Sequence, residues 1–414
     1  MGKQISVAAI STFGSRCGIA TYMEELGVWL VKGGDIRLHV VAPQETDSLI
    51  NADVPGVTAS TAWGRTSPAL LDHLLPVVKD FDIIHFQHEH GLFQSTAAFF
   101  QALKGFKQRG KKIVVTLHTV HTYGTWENTQ FLDRIRTLAD VVIVHTAAAL
   151  VAVSAARGDA AVIKIPHGTR INVQLGDREE GLKYLSVPKT WWSAVLGGTF
   201  GFIGQSKSIH GTLQAFADAL SRRLIPHTCK YIVCGSASDH AYPTFLRSVV
   251  DRAGCSDNIL LRDDTFVPRD KVRHVMAAFD YAVLNTESWT LSASGQTHVH
   301  AAHGVPLAVS RRPIYDEALQ AGALPYDVDP NSHNVTLSHV SRLKTTCLFL
   351  AGKQGGTKSR RSTERFIRHS YERHPSRRRF VRFCCPRREA HDAHHVRLVS
   401  EVGPYPFMRY SLLR

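Results

Sequence analysis

The sequence predicts an α/β protein built from two doubly wound parallel-sheet domains facing a cleft, followed by an atypical basic stretch. Three observations carry this. Short apolar, β-rich runs alternate with helix-period segments in two successive series, one over residues 4–165 and one over 199–328. The chain has 414 residues, too many for one ordinary domain, and 44% of them are apolar, enough for two cores. Third, the charge is unevenly placed. Residues 341–414 hold 18 Lys/Arg and 5 Asp/Glu, which leaves 31 and 30 for the first 340 residues. The net charge of +14 therefore belongs to the end of the chain, and a pI near 9.6 is no argument for nucleic-acid binding by the body.

In the first series, strands are expected at 4–13, 36–41, 82–87, 112–117, 139–145 and 160–165. Helices are expected at 19–31, 70–78, 93–106 and 147–157. Residues 171–196, with Gly176, Gly181, Pro188 and the Trp191-Trp192 pair, lose the alternation and read as a connection between domains 1–170 and 197–340. The second series places strands at 200–203, 231–234, 259–261, 281–285, 306–309 and 324–328, and helices at 212–220, 242–253 and 269–278. A further helical segment runs from the Ser292-Ala-Ser-Gly295 loop to Gly304.

Several function classes fall away. No apolar run is long enough to span a bilayer, and the N-terminus lacks a signal-peptide pattern. Met1 to Ser6 formally fits a myristoylation motif, but the residues from Gln4 onward read as the first core strand. The seven cysteines form no regular framework, so reduced thiols in a cytoplasmic setting are expected. The segment around Gly18 is not a GxGxxG fingerprint, which disfavours a nicotinamide cofactor. His85, His88 and His90 lack HExxH spacing, and strand alternation sets His88 and Glu89 on opposite faces. A site-lining loop is expected there rather than a metal centre.

In parallel sheets ligands gather beyond the carboxyl ends of the strands. Gly18, His88, Glu89, His118 and His167 all fall there in the first series, and together they suggest a rim that lines a site. In the second series, a Ser/Gly loop feeding a helix presents unpaired N–H groups at a positive dipole end, which suits phosphate. The plainer reading makes Ser294 a simple N-cap. Lys207, after the first strand of this series, could reach a diphosphate and offset charge on a leaving group; otherwise it is a solvated surface lysine. Two such rims suit a reaction between two substrates.

The residues resemble bacterial family-4 (group 1) retaining glycosyltransferases of the GT-B fold. Arg16-Cys-Gly-Ile-Ala-Thr-Tyr22 resembles that family's glycine loop, and His85-Phe-Gln-His-Glu-His-Gly91 resembles its HxQHExG strand end. Thr116-Leu-His118 and Ile165-Pro-His-Gly168 sit where its site-lining segments sit. Gly201 to Lys207 resembles its GRLxxxKG segment, and Ser292 to Pro306 resembles its SxSG…AxGxPV loop. The resemblance covers roughly residues 5–330. It implies two Rossmann-like domains, with the acceptor on the first and a nucleotide-activated sugar on the second. It implies sugar transfer with retention of configuration, with no cofactor and no obligatory metal. His118 would face the reacting sugar and Glu287 would touch the donor sugar's hydroxyls, as the catalytic pair. Gly18, Lys207, Ser294 and Gly295 would bind the donor, while His88, Glu89 and His167 line the acceptor side. The acceptor would be a saccharide, a glycolipid or a small molecule.

Three departures stand out. The family's Glu-x7-Glu element has no second glutamate: counting from Glu287 gives Gly295, and counting back from Gly304 gives Val299. The arginine often found beside the lysine is Phe202 here, which leaves one fixed cation for the diphosphate. The family's closing helix is also not recognisable in 341–414, where Arg377-Arg-Arg379, Cys384-Cys385, Arg387-Arg388 and His394-His395 dominate. That stretch reads as a disordered extension, as a contact for an anionic membrane face, or as a non-native ending such as follows a frame change near residue 340. Nucleic acid is the least expected partner. The competing readings of the whole are an impaired glycosyltransferase remnant and a binder of anionic partners through the basic stretch.

Overall fold

A computed structural model of the protein describes residues 4–45, 53–121, 125–168, 174–237, 240–264, 266–320 and 323–326. The basic stretch 341–414, and with it Cys384, Cys385 and the arginine and histidine runs, lies outside the described residues. The described chain separates into two compact units. One holds the residues up to Gly168 together with Thr290–Ala293, and the other runs from the connection to Trp289 and resumes at Ser294.

The first unit has a seven-stranded parallel sheet. Its strands are β1 (Ile5–Ile10), β2 (Ile36–Pro43), β3 (Val57–Trp63), β4 (Ile83–His88), β5 (Lys112–Leu117), β6 (Val141–Val144) and β7 (Ala161–Lys164). Their spatial order is β3-β2-β1-β4-β5-β6-β7, so the winding reverses between β1 and β4. Strand alternation gives the sheet two apolar faces. Ala8, Ile10, Ile84 and Phe86 join one core with Phe99, Leu103 and Phe106 of helix α3 (Thr96–Gln108). Val7, Ala9 and Ile83 join the opposite core with Met23 and Leu30 of helix α1 (Gly18–Val31). Helices α2 (Leu70–Val78), α4 (Trp126–Leu138) and α5 (Ala147–Ser154) complete the first face through Leu74, Ile135 and Val153.

The second unit repeats the plan with six parallel strands in the order β10-β9-β8-β11-β12-β13, and its winding reverses between β8 and β11. They are β8 (Leu196–Phe200), β9 (Lys230–Cys234), β10 (Ile259–Arg262), β11 (Tyr281–Leu284), β12 (Leu307–Ser310) and β13 (Leu324–Tyr326). Tyr231, Val233, Tyr281 and Val283 pack against helices α7 (Ile209–Ser221) and α8 (Ala241–Arg252). Ile232, Ala282 and Leu284 pack against α6 (Arg178–Tyr184) and α9 (Arg269–Ala278) on the other face. Helices α10 (Gly295–Ala302) and α11 (Asp316–Gln320) flank β12 in sequence.

The doubly wound α/β class expected from the alternation is the class observed. Individual elements differ. The first strand of the second unit is Leu196–Phe200, not 200–203. Its Leu-Gly-Gly-Thr-Phe sequence hides it: a Cβ at Gly198 would lie 2.5 Å from the Phe279 ring, so the sheet centre needs glycine where propensity expects a β-branched residue. Strand β3 and helices α4, α6 and α11 were not anticipated. Helix α6 falls inside the stretch read as a connection and packs closely on α9.

Candidate functional site

At the switch point of the first unit, the loop after β1 leads into α1. Cys17 is the extended N-cap residue, and its side chain makes no capping hydrogen bond. The first N–H groups of α1, beginning at Gly18, therefore have no partner inside the helix. A Cβ added at Gly18 would meet nothing within 4 Å, so the backbone there borders open space. The buried Glu24, more than one turn further along α1, accepts from the Gly14 N–H at 3.2 Å and fixes the loop.

Tyr22, one turn after Gly18, is the hub of an imidazole cluster at the ends of β5, β6 and β7. Its ring centroid lies 4.9 Å from His118, 5.5 Å from His145 and 5.1 Å from His167. Burial pushes the Tyr22 phenol up, so it stays neutral. His118 is held well below the ordinary histidine range, first by burial and then by the neighbouring imidazoles His145, His167, His88 and His85. His118 Nε2 lies 2.9 Å from Gln87 Oε1, an acceptor only, so Nε2 carries the proton and Nδ1 holds the lone pair. The amide of Gln87 turns its Nε2 to His85 Nε2 at 3.2 Å, and the Thr116 hydroxyl also meets that nitrogen at 2.8 Å. A neutral, oriented His118 can accept a hydrogen bond from a hydroxyl at Nδ1.

His88 and Glu89 follow β4 but serve different surroundings. The His88 ring enters the aromatic core, stacked on Phe93 at 5.6 Å and against Phe99 and Phe131. Burial, with His90 second, lowers it to about 3. Its Nδ1 is buried and has no hydrogen-bond partner among the described residues. Glu89 accepts from the Thr119 hydroxyl at 2.6 Å and from the His90 N–H at 3.1 Å, which ties the β4 end to the β5 end. Among the described residues no group of three or more His, Cys, Asp or Glu side chains is arranged to hold a metal ion.

The second unit holds the remaining candidates, and its switch point organises them. Lys207 lies in the turn after β8, Glu287 in the loop after β11, and these are the two strands between which the winding reverses. Four hydrogen bonds join turn and loop. Thr286 Oγ1 and the Glu287 N–H both donate to Ser206 O, at 2.7 and 3.3 Å. Asn285 Nδ2 donates to Ser208 O at 3.3 Å, and Ser208 Oγ to Glu287 Oε1 at 2.8 Å. Ser208 adopts a left-handed backbone with φ +44°, a strain that this network holds in place. The Lys207 side chain is half-buried, its ammonium makes no hydrogen bond or ion pair with any described residue, and burial lowers its pKa.

Ser294 and Gly295 begin α10. Ser294 is the N-cap residue in extended conformation, yet its hydroxyl makes no capping hydrogen bond; it is buried with no partner among the described residues. Gly201, with φ +124°, carries the chain from β8 toward Lys207 so close to α10 that a Cβ would lie 1.7 Å from Gln296 Nε2.

Several residues of this arrangement were not anticipated. Gln87 lies in the quoted His85 to Gly91 segment, two residues after His85, and period-two alternation was the signal that placed both on one face. Tyr22, one helical turn after Gly18, and His145, at the end of β6, could have been found from helix and strand-end spacing. Arg312 lies two residues beyond β12, at a strand end as His118 does, but its sequence gives no sign of its burial.

Residues 17–173 match the sequence model of Glycosyltransferase Family 4. No curated protein sequence matches the chain. Among solved structures, the Anabaena protein HepE, in complex with UDP and glucose, is 15% identical with a TM-score of 0.62, covering 83% of this chain and 92% of its own. Sucrose-phosphate synthase from Thermosynechococcus elongatus is 14% identical with a TM-score of 0.63, covering 92% and 95%. A glycosyltransferase from Rickettsia africae is 12% identical, again at 0.63, with the same coverage. At these identities the structural likeness is one of fold. In the sequence of its first unit and in the fold of both, the chain resembles the family-4 glycosyltransferases.

Proposed function

We propose that the protein is a glycosyltransferase that moves a sugar from a nucleotide-sugar donor to a carbohydrate, glycolipid or small-molecule acceptor, with retention of configuration and without a metal. The observation that carries the reading is Lys207: a half-buried ammonium with no partner among the described residues, on a turn tied to the switch-point loop. Such a cation calls for an anion. The start of α10 adds unpaired N–H groups and the uncommitted Ser294 hydroxyl in the same unit. The UDP and UDP-glucose carried by HepE give a nucleoside diphosphate as the natural candidate. In this reading Gly18 joins Lys207, Ser294 and Gly295 in binding the donor, His118 faces the reacting sugar, Glu287 serves the donor sugar, and Glu89 and His167 serve the acceptor. Placement in the cytoplasm is part of the proposal, with the basic stretch 341–414 against an anionic membrane face. Among the described residues no helix is long and apolar enough to cross a membrane.

The test is thermal unfolding of the purified chain with UDP-, GDP-, ADP- and dTDP-sugars and the free nucleotides. A ligand that binds only the folded state raises the midpoint; at a hundred times its Kd the gain is about 2.7 kcal/mol. A rise with one nucleotide class that is lost in Lys207→Ala is the expected result. A folded sample that responds to none of them means an inactive remnant of the fold.

A further inference from the structure

We propose that Arg312 is the second cation of the anion site in the second unit, gripping the donor diphosphate together with Lys207. The inference rests on the reading of that unit as a nucleotide-sugar site and deepens it.

Arg312 is 7% exposed. The one hydrogen bond of its side chain is a long one, from a terminal nitrogen to Arg311 O at 3.4 Å, and its buried Nε has no partner among the described residues. No ion pair joins it to a carboxylate among the described residues. Of the acids that follow it in sequence, Glu317 lies 3.6 Å from His298 Nε2, and neither Asp316 nor Glu317 pairs with Arg312. An arginine, unlike a lysine, does not shed its charge on burial. A buried guanidinium without a counter-ion is costly, and proteins keep such groups where an anion completes them.

Its position agrees with that chemistry. Arg312 lies just beyond the carboxyl end of β12, which pairs with β11. Its guanidinium sits 4.2 Å over the ring of Trp289, in the loop that follows β11. The stacking holds the fork in place before any ligand arrives. Thr286, three residues before Trp289, links both sides: its N–H donates to Ser310 Oγ at 3.3 Å and its hydroxyl to Ser206 O at 2.7 Å, next to Lys207. Tyr315, anchored to Asn285 O at 3.1 Å, closes the turn that carries Arg312 through its N–H to Arg312 O at 2.9 Å. The Lys207 turn, the β11 loop and the Arg312 turn thus form one hydrogen-bonded rim. Position 202, where the resemblance leads one to look for an arginine, holds a phenylalanine that is 46% exposed. A diphosphate needs more than one fixed charge, and a preset guanidinium fork meets two of its oxygens at once.

The test is calorimetric titration of the full chain with pyrophosphate, and with UDP and uridine or the corresponding pair of whichever base binds. Wild type, Arg312→Met, Arg312→Lys and Lys207→Ala are compared. Loss of a charged hydrogen bond predicts about 10- to 100-fold weaker diphosphate and pyrophosphate binding in Arg312→Met, with part restored in Arg312→Lys. Uridine binding stays at the wild-type value, and the ligand-free midpoint of Arg312→Met is equal or higher, because an uncompensated buried charge has been removed. Wild-type diphosphate affinity in Arg312→Met overturns the inference. So does a lowered ligand-free midpoint with diphosphate and nucleoside weakened alike, which would make Arg312 a packing residue for Trp289. Wild type binding pyrophosphate through both cations but no nucleotide would keep Arg312 as an anion ligand and overturn the glycosyltransferase reading. No binding of either by folded wild type overturns both.

Discussion

Ser294 occupies a cap position without acting as a cap, and that separates two roles that look the same in sequence. A capping serine replaced by alanine costs about 0.5–2 kcal/mol of stability. Here the hydroxyl is buried with no partner among the described residues, so its removal relieves an unmet polar group rather than breaking a bond. Ser294→Ala is expected to leave the denaturant midpoint of the ligand-free protein unchanged or raised, and to weaken diphosphate binding about tenfold or less, as for a single neutral hydrogen bond. A drop of about 1 kcal/mol without ligand would return Ser294 to the role of a plain cap. Much of the candidate site was legible at this scale, because strand ends and Ser/Gly loops announce themselves. His118, Lys207 and Ser294 were reached that way. Arg312 and Gln87 were not: an arginine reads as solvated surface until its burial is known, and a glutamine shows its value only when both amide ends are seen to meet histidines.

Elements built on alternating apolar runs, such as β5 and α9, were legible to the residue. The elements that were not owe their structure to tertiary contact. Helix α6 has the sequence Arg-Glu-Glu-Gly-Leu-Lys-Tyr, which carries a glycine and only one aliphatic residue, so no period stands out. Its glycine is what lets it form where it does. A Cβ at Gly181 would lie 1.9 Å from His274 O on α9, so the two helices touch backbone to backbone. Asp177 caps α6 through Glu180 N–H at 2.9 Å, and Arg178 bridges to Asp280 at 3.2 Å. Gly181→Ala must force α6 and α9 apart and is expected to destabilise the second unit by about 1–3 kcal/mol in urea denaturation. Gly204→Ala, where a Cβ meets nothing within 4 Å, serves as the comparison and should be neutral or slightly stabilising. Equal midpoints for the two variants would mean that the α6–α9 contact adds nothing to folding.

Across the molecule, buried histidine is distributed unequally between the units, and this sets how each responds to acid. Burial lowers His85 and His88 in the first unit to about 3, with His90 also acting on His88, and His118 lies well below the ordinary range beside them. In the second unit burial lowers His300 to about 4. A histidine whose folded pKa is depressed binds more protons unfolded than folded. Its contribution is therefore intact above the unfolded value near 6.5, and stability is lost as pH falls from there toward the folded value. Each fully buried histidine then costs about 1.4 kcal/mol per pH unit, so His85 and His88 alone should remove about 2–3 kcal/mol from the first unit between pH 7 and 5.5. The same imidazoles that keep His118 neutral thus make its unit the acid-labile one. Calorimetric scans from pH 7.5 to 5 should show the transition of the first unit moving down faster than that of the second. His88→Leu, which keeps an apolar side chain among Phe93, Phe99 and Phe131, should flatten the slope of the first transition by one histidine's share. Parallel transitions, or an unchanged slope in His88→Leu, would show that these imidazoles take up protons in the folded state as readily as in the unfolded one.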